Sequence, residues 1–421
     1  MADYDLLLSE AYTLEHGEPV DIGIKDGLIV EVGALGGDAD RVIELDGDFV
    51  SPGLVDAHKH VDRALVSEGD RVPRGNETAF DMERSLEHER AYYANATVDD
   101  IAENVARNLK MAVSHGSTYV RSHLTVDTDT RGTDTVAAAV RAREETSDLV
   151  DVQFVPSSYE DTTPEGRAVL EEAIEMADDG SVRNAALLGG SDPAARTGDL
   201  AGTLDLWFEL AEKHDVDVDF HIDEPHTLGG YVLERLADYV EEYGFEGRAT
   251  ATHGYGLAQM PAWRASEVIE RLVETEIGLI TCYNSVRHGM PMKELLTTDG
   301  LAFAHGTDND RDFVLPHGNA NQIEAMIVLV NKLHAARELA GPDAEYRWLE
   351  SNPGLAALWE LLTYGGARIL GIEDEYGIEE GNPANLAVFG SPSPQWAIFD
   401  QEDPTHVVKD GRVVAENGAL V

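Results

Sequence analysis

In Gly53-Leu54-Val55-Asp56-Ala57-His58-Lys59-His60, the short β-like run Gly53–Ala57 leads into two histidines separated by one residue. Alternate residues of a strand share a face, so His58 and His60 point to one side and Lys59 to the other. This run is the first of eight. Comparable β-like stretches follow at Thr118–Leu124, Val150–Pro156, Arg183–Leu188, Val216–His221, Ala249–His253, Ile277–Tyr283 and Leu301–Thr307. Longer helical patterns fall between them, for instance at Val98–His115, Pro164–Asp178, Thr203–His214, Gly229–Tyr243 and Ala265–Glu274. Strand–helix alternation with a count of eight predicts an α/β fold, a (β/α)8 TIM barrel, over residues 51–372. An open doubly wound sheet is the competing architecture, but no GxGxxG follows an early strand.

The two ends of the chain follow a different grammar. Val20-Asp21-Ile22-Gly23-Ile24 and Leu28-Ile29-Val30-Glu31-Val32 flank the turn Lys25-Asp26-Gly27. Near the C-terminus, His406-Val407-Val408 and Arg412-Val413-Val414 flank Lys409-Asp410-Gly411. Apolar runs joined by an Asp-Gly turn predict hairpins. Matching all-β ends predict one small β-sandwich domain composed of residues 1–50 and 373–421.

Composition narrows the function. The chain has 421 residues, with 31 Lys+Arg against 80 Asp+Glu and a formal net charge of −49. Nucleic-acid binding needs clustered cations, and no basic tract occurs, so no nucleic-acid partner is expected. The longest apolar runs are far short of the ~20 residues that span a bilayer, and the N-terminus lacks a basic-then-apolar leader, so a soluble cytoplasmic protein is expected, with no membrane partner. Cys282 is the single cysteine, which excludes an intrachain disulfide and a thiolate zinc cluster. The acids are spread over helix faces, and the composition resembles that of proteins adapted to high salt, whose self-repulsion the medium screens.

Metal-ligand residue types gather at the ends of the eight runs. His58 and His60 end the first, His221 the fifth, His253 the sixth, and Asp308 follows the eighth. Alone, each could be a hydrogen-bonded core histidine or a loop acid. Four imidazoles and a carboxylate at strand ends, where such a barrel keeps its active residues, together predict a metal site.

The fragment Ser51-Pro52-Gly53-Leu54-Val55-Asp56-Ala57-His58-Lys59-His60-Val61-Asp62-Arg63 resembles the first-strand motif of the amidohydrolase superfamily, and its HxHxD[KR] form resembles the cytosine deaminase branch. Val120-Arg121-Ser122-His123, His221-Ile222-Asp223-Glu224, the stretch from Asp308 to Asn319-Ala320-Asn321, and Gly381-Asn382-Pro383-Ala384-Asn385-Leu386 carry the same resemblance. It implies His58, His60, His221 and Asp308 as ligands of a divalent ion, zinc or iron(II), with Glu224 as proton shuttle and His253 beside the activated water. Asp308 would take the water's proton and hand it to the leaving amine. A metal ion lowers the pKa of bound water towards ~7, and a carboxylate near it can protonate a ring nitrogen. Binuclear relatives bridge their ions with a carboxylated lysine from a middle strand. No lysine occurs between Lys110 and Lys213, so one ion is expected, and Lys59 faces away.

The resemblance thins at the substrate. Tyr159 stands where cytosine deaminases carry a glutamine, Asn309 replaces a second aspartate, and Val314 replaces a tryptophan. Chemistry is thus expected to persist with a changed pocket. Tyr159, Asn309, Arg63 and His123 are the candidate substrate contacts, with Tyr283 and Asn284 beside them. Arg63 either reaches substrate or pairs with an aspartate, and His123 either orients a ligand from behind or fills core. The expected activity is hydrolytic removal of an amino or alkylamino group from a small nitrogen heterocycle such as cytosine or a related pyrimidine or triazine; N-isopropylammelide amidohydrolases resemble this branch. A ring-opening cyclic amide hydrolase is the alternative, against which Glu224 argues. A non-catalytic metal-binding scaffold is the second, against which Glu224 and His253 argue together. A homo-oligomer is compatible with the sequence.

Overall fold

The computed structural model describes residues 2–68, 82–282, 290–340 and 346–421. Both Lys-Asp-Gly segments form tight hairpin turns. Asp26 and Gly27 take φ of 51° and 84°, and Asp410 and Gly411 take 47° and 72°. Left-handed backbone at both central positions matches the right-handed twist of the flanking strands. The turns also abut: a Cβ on Gly411 would stand 3.1 Å from the Gly27 Cα, so glycine is required there twice over.

Strands β1 (Tyr4–Ala11), β2 (Val20–Lys25), β3 (Leu28–Gly33) and β4 (Ala39–Glu44) form a sheet in the order β3-β2-β1-β4. β5 (Phe49–Pro52) leaves it to pair with C-terminal strands β14 (Leu386–Phe389), β15 (His406–Lys409), β16 (Arg412–Glu416) and β17 (Ala419–Leu420), in the order β17-β16-β15-β14-β5. Leu6, Leu8, Ile22, Ile24, Ile29 and Ile43 from the first sheet share one apolar cluster with Val50, Leu386, Val388 and Val408 from the second. Alternation along β1, buried at Tyr4, Leu6 and Leu8, is what aims one face at that cluster.

The central strands are buried along nearly their whole length, as parallel strands covered by helices are. β6 (Leu54–Lys59), β7 (Ser117–Val126) and β8 (Asp151–Ser158) form a parallel sheet. β9 (Leu188–Ser191), β10 (Val218–Ile222), β11 (Ala249–His253), β12 (Gly278–Cys282) and β13 (Phe303–Gly306) form another. Single parallel bridges lie at both seams, Phe154↔Ala186 towards β9 and Lys59↔Asp308 after β13. The eight expected runs are therefore eight strands in the expected order. The fourth is displaced: its ladder starts at Leu188, not Arg183, because only from there does β10 run alongside.

Helices 98–114, 134–145, 164–177, 200–214, 226–243 and 262–274 intervene between strands. Their starts are written locally. Thr97 and Asp100 make a reciprocal capping box, Thr163 caps a helix whose first residue is Pro164, and Asp199 caps the helix from Leu200. Beneath the strand ends, a buried Arg121 donates to Gln153, to Asp219, to Thr250 and to the Ile369 carbonyl, which ties β7, β8, β10 and β11 together. Among the described residues no helix is long and apolar enough to cross a membrane.

Candidate metal centre

His58 and His60 lie on and just after β6, and the pleat sends both the same way. Asp308 follows β13 across the seam. Its N–H donates to the His58 carbonyl at 2.9 Å, and the His60 N–H donates to the Asp308 carbonyl at 3.0 Å. The backbone therefore sets these three side chains against one another before any side-chain interaction acts. Asp308 takes φ of 64° and His253 of 75°, conformations that non-glycine residues adopt at a cost of about 1–3 kcal/mol and that cluster at working sites.

The side chains converge. The Nε2 atoms of His58 and His60 stand 3.6 and 3.5 Å from Asp308 Oδ1, and His221 Nε2 is 3.3 Å from His60 Nε2. Two ligands each about 2.0–2.2 Å from one ion at a near-tetrahedral angle would stand about 3.3–3.6 Å apart, and these three pairs lie in that range. Both ring nitrogens of buried His58, and Nδ1 of buried His60 and His221, have no hydrogen-bond partner, which is costly unless something else engages them. His253 belongs to the cluster as well: potential ligand atoms of His58, His221 and His253 lie within 4.8 Å of one another, as do those of His58, Cys282 and Asp308.

Electrostatics favour metal-ready protonation states. Burial lowers the His58 imidazole to about 4 and takes His60 and His221 well below the ordinary histidine value. Neutral imidazoles offer the lone pairs a cation needs. Burial works against charge on Asp308, but the facing His58 and His253 rings and the Arg63 guanidinium prevail and hold its carboxyl well below the usual range.

Glu224 stands three residues past His221 and is 1% exposed. Its Oε1 accepts from the N–H groups of Ala194 and Ala195 at 2.9 and 3.3 Å, whereas buried Oε2 has no partner. Burial, and then the nearby Asp192 carboxylate, push its carboxyl above the usual value. His123, fully buried, packs with its ring 4.3 Å from that of His221 and 4.7 Å from that of His58, and its Nε2 faces Asp219 Oδ1 at 3.5 Å. It lies against the ligand imidazoles rather than away from them.

The other candidate contacts separate. Arg63 Nε is 3.3 Å from Asp312 and its Nη1 3.9 Å from Glu89, so its aspartate is Asp312 and not the adjacent Asp62. Asn309 donates to that same Asp312. Asp62 instead accepts the Thr125 N–H at 2.8 Å. Tyr159 is 52% exposed, with the Arg196 guanidinium 5.8 Å from its ring. Tyr283 and Asn284 lie outside the described residues. Lys59 faces away as expected, towards Asp310, Thr307 and Asp56. Three participants escaped sequence reasoning: Cys282, Asp219 and Asp192. Cys282 closes the seventh strand and Asp219 lies two residues before His221 on the same face, signals that were present; Asp192 had only an Asp-Pro step to mark it.

The chain is similar to known proteins along its whole length. The chain is 35% identical to the N-isopropylammelide isopropyl amidohydrolase of Pseudomonas sp. strain ADP, over 100% of this chain and 99% of that one. Among solved structures, the N-isopropylammelide isopropylaminohydrolase of Burkholderia multivorans superposes with a TM-score of 0.83 at 24% identity, covering 99% of each chain. The 5-methylcytosine deaminase of Klebsiella pneumoniae, liganded with 5-fluorocytosine, superposes with a TM-score of 0.81 at 22% identity, covering 97% of each. A profile of the amidohydrolase family matches residues 49–414, and the chain is an enzyme of that metal-dependent family of hydrolases.

Proposed function

We propose that the chain removes an amino or alkylamino group hydrolytically from a small nitrogen heterocycle of the triazine or pyrimidine kind, using one divalent ion, zinc or iron(II), held by His58, His60, His221 and Asp308. The carrying observation is the chain of close pairs His58 Nε2–Asp308 Oδ1, Asp308 Oδ1–His60 Nε2 and His60 Nε2–His221 Nε2 at 3.6, 3.5 and 3.3 Å, groups delivered from three separate strands. The 35% identity with an N-isopropylammelide isopropyl amidohydrolase along the whole chain supports the leaving-group class. The reading places the site at the mouth of a closed (β/α)8 barrel formed by residues 51–372, with residues 1–50 and 373–421 as a composite β-sandwich.

When bound, the ion supplies the Lewis acidity that makes water a nucleophile at neutral pH. The remaining work falls to side chains. Asp308 receives the water's proton and delivers one to the departing amine. Glu224 presents Oε2 to a ring nitrogen and protonates it, a task suited to a buried carboxyl whose affinity for protons is raised. His253 hydrogen-bonds the attacking oxygen from β11. His123 and Asp219 brace the ligand imidazoles. Arg63 and Asn309, both spent on Asp312, shape the pocket wall beside the ring, and Tyr159 covers its outer edge.

The test is a screen of N-isopropylammelide, cytosine and a pterin against metal-loaded protein, following released amine or ammonia, with metal content measured in parallel. Amine release at about one ion per chain is expected, and Glu224→Gln should lower kcat about 100-fold or more while metal is retained. A new carboxylate without free amine would point to ring opening. Undiminished turnover by Glu224→Gln would remove the shuttle.

A further inference from the structure

The segment after β9 has no part in the mechanism above, yet it grips the residues that do. Asp192 follows the strand with φ of 47° and begins the short helix Pro193–Thr197. Its N–H donates to the His221 carbonyl at 3.0 Å, and its Oδ1 accepts the Asp223 N–H at 3.0 Å. The next N–H groups, of Ala194 and Ala195, hold Glu224 Oε1. On its far side this helix is itself fixed. Arg196 donates to the Ser158 carbonyl at 2.9 Å and to both oxygens of Asp161 at 2.7 and 2.9 Å, and fully buried Asp161 also accepts the Trp207 indole N–H at 2.8 Å.

We propose that Asp192 is a positioning residue for Glu224: it locks the segment after β10 onto the 193–197 turn, so that Oε1 is committed to two backbone donors and Oε2 is the oxygen offered to substrate. The inference rests on the reading of Glu224 as the proton carrier. A carboxylate with both oxygens unheld would sample several rotamers, and a small misplacement of a proton donor is expensive in rate. Aspartate suits the position because its short polar side chain tolerates the left-handed region and reaches the Asp223 N–H from there. Asparagine would do both. Glycine would keep the backbone conformation and lose the acceptor.

The experiment uses the metal-loaded full chain with N-isopropylammelide, and with cytosine and a pterin alongside. Asp192→Gly should lower kcat about tenfold, the scale of one lost positioning hydrogen bond, with KM within about twofold and metal content unchanged. Asp192→Asn keeps the acceptor and removes only the lesser contribution to the proton affinity of Glu224, so it should restore most of kcat. Ala194→Pro, which deletes the shorter donor to Oε1 in the first turn of the 193–197 helix, where no intrahelical N–H bond is lost, should match Asp192→Gly and serves if the glycine variant does not fold. In a Glu224→Gln background Asp192→Gly should cause no further loss, because it acts through that carboxyl. Deuterium exchange, which needs no substrate, should speed up at the amides of Ala194, Ala195 and Asp223 in Asp192→Gly. Unchanged kcat or exchange in Asp192→Gly, no rescue by asparagine, or metal loss parallel to the loss of rate would overturn the proposal. Full turnover by Glu224→Gln would instead overturn the reading it rests on.

Discussion

Lys59 sits between two histidine ligands in sequence and is fully buried, with Nζ 2.7 Å from Thr307 Oγ1, 3.5 Å from Asp56 Oδ2, and hydrogen-bonded to Asp310. Replacing it by methionine preserves volume and strands two buried carboxylates. Breaking a buried ion pair by removing one partner costs about 3–5 kcal/mol. The lower end applies here because both acids keep other donors. Asp56 retains the Thr307 N–H at 2.9 Å and hydroxyl at 2.6 Å; Asp310 retains the Asn108 amide at 3.1 Å and the Ala320 N–H at 2.9 Å. The expected loss is therefore about 3 kcal/mol at pH 8. It should shrink with acid. Burial already raises the Asp56 carboxyl despite the neighbouring ammonium, and losing that ammonium raises it further. A carboxyl with a raised folded-state pKa binds protons more tightly when folded, so the folded variant gains stability as pH falls. Lys59, raised in turn by its acidic partners against the effect of burial, stays charged at both pH 5 and pH 8, so the wild-type reference does not shift through it. Urea unfolding of metal-saturated Lys59→Met beside wild type should give a deficit at pH 5 smaller by about 1 kcal/mol or more. A deficit under about 1 kcal/mol at pH 8, or one equal at both pH values, would refute the view of Lys59 as the counter-charge of this seam.

Two other perturbations probe the fold around the site. A Cβ at Gly306 would stand 2.5 Å from the His58 carbonyl oxygen and 2.6 Å from its Cβ and N, atoms that cannot yield without moving the ligand. Gly306→Ala should cost about 1–3 kcal/mol in thermal or urea unfolding and most of the bound metal; wild-type metal content in that variant would contradict the seam as the ligand scaffold. With a net charge of −49, the chain should loosen as salt is withdrawn, seen as lost near-ultraviolet circular dichroism between molar and millimolar salt. An unchanged spectrum would mean that the acidic surface is tolerated without screening.

Strand periodicity, the Asp-Gly turns and the HxH pair are local signals, and they carried most of the architecture. The fourth strand was misplaced because its paired residues, Gly189-Gly190-Ser191, have no β-like side chains. Glycine is there for a tertiary reason: a Cβ on Gly190 would stand 2.4 Å from the Trp207 ring. Arg63 shows the same limit. Sequence offered Asp62 as its neighbour, but Asp62 is taken by the Thr125 N–H, and Arg63 instead faces Asp312 and Glu89 from distant segments. Partner choice among buried charges is settled by which loops the fold brings together, and no local pattern encodes it.

That principle bears on how the centre assembles. Among the described residues the two seams between the parallel sheets have one bridge each, and the bridge after β13 is Lys59↔Asp308, between the residue flanked by two proposed ligands and a third proposed ligand itself. The backbone bonds Asp308 N–H to His58 carbonyl and His60 N–H to Asp308 carbonyl lie at the same point. Joining β6 to β13 and bringing His58, His60 and Asp308 together are thus one structural event. An ion bound there favours the joined state over the open one by its full differential affinity. Opening of this seam, read by deuterium exchange of the amides of residues 58–60 and 307–308, should therefore slow with metal far more than opening of the Phe154↔Ala186 seam, where none of the proposed ligands lies. Equal slowing at both seams would mean that the ion stabilises the fold globally and that this junction has no special dependence on it.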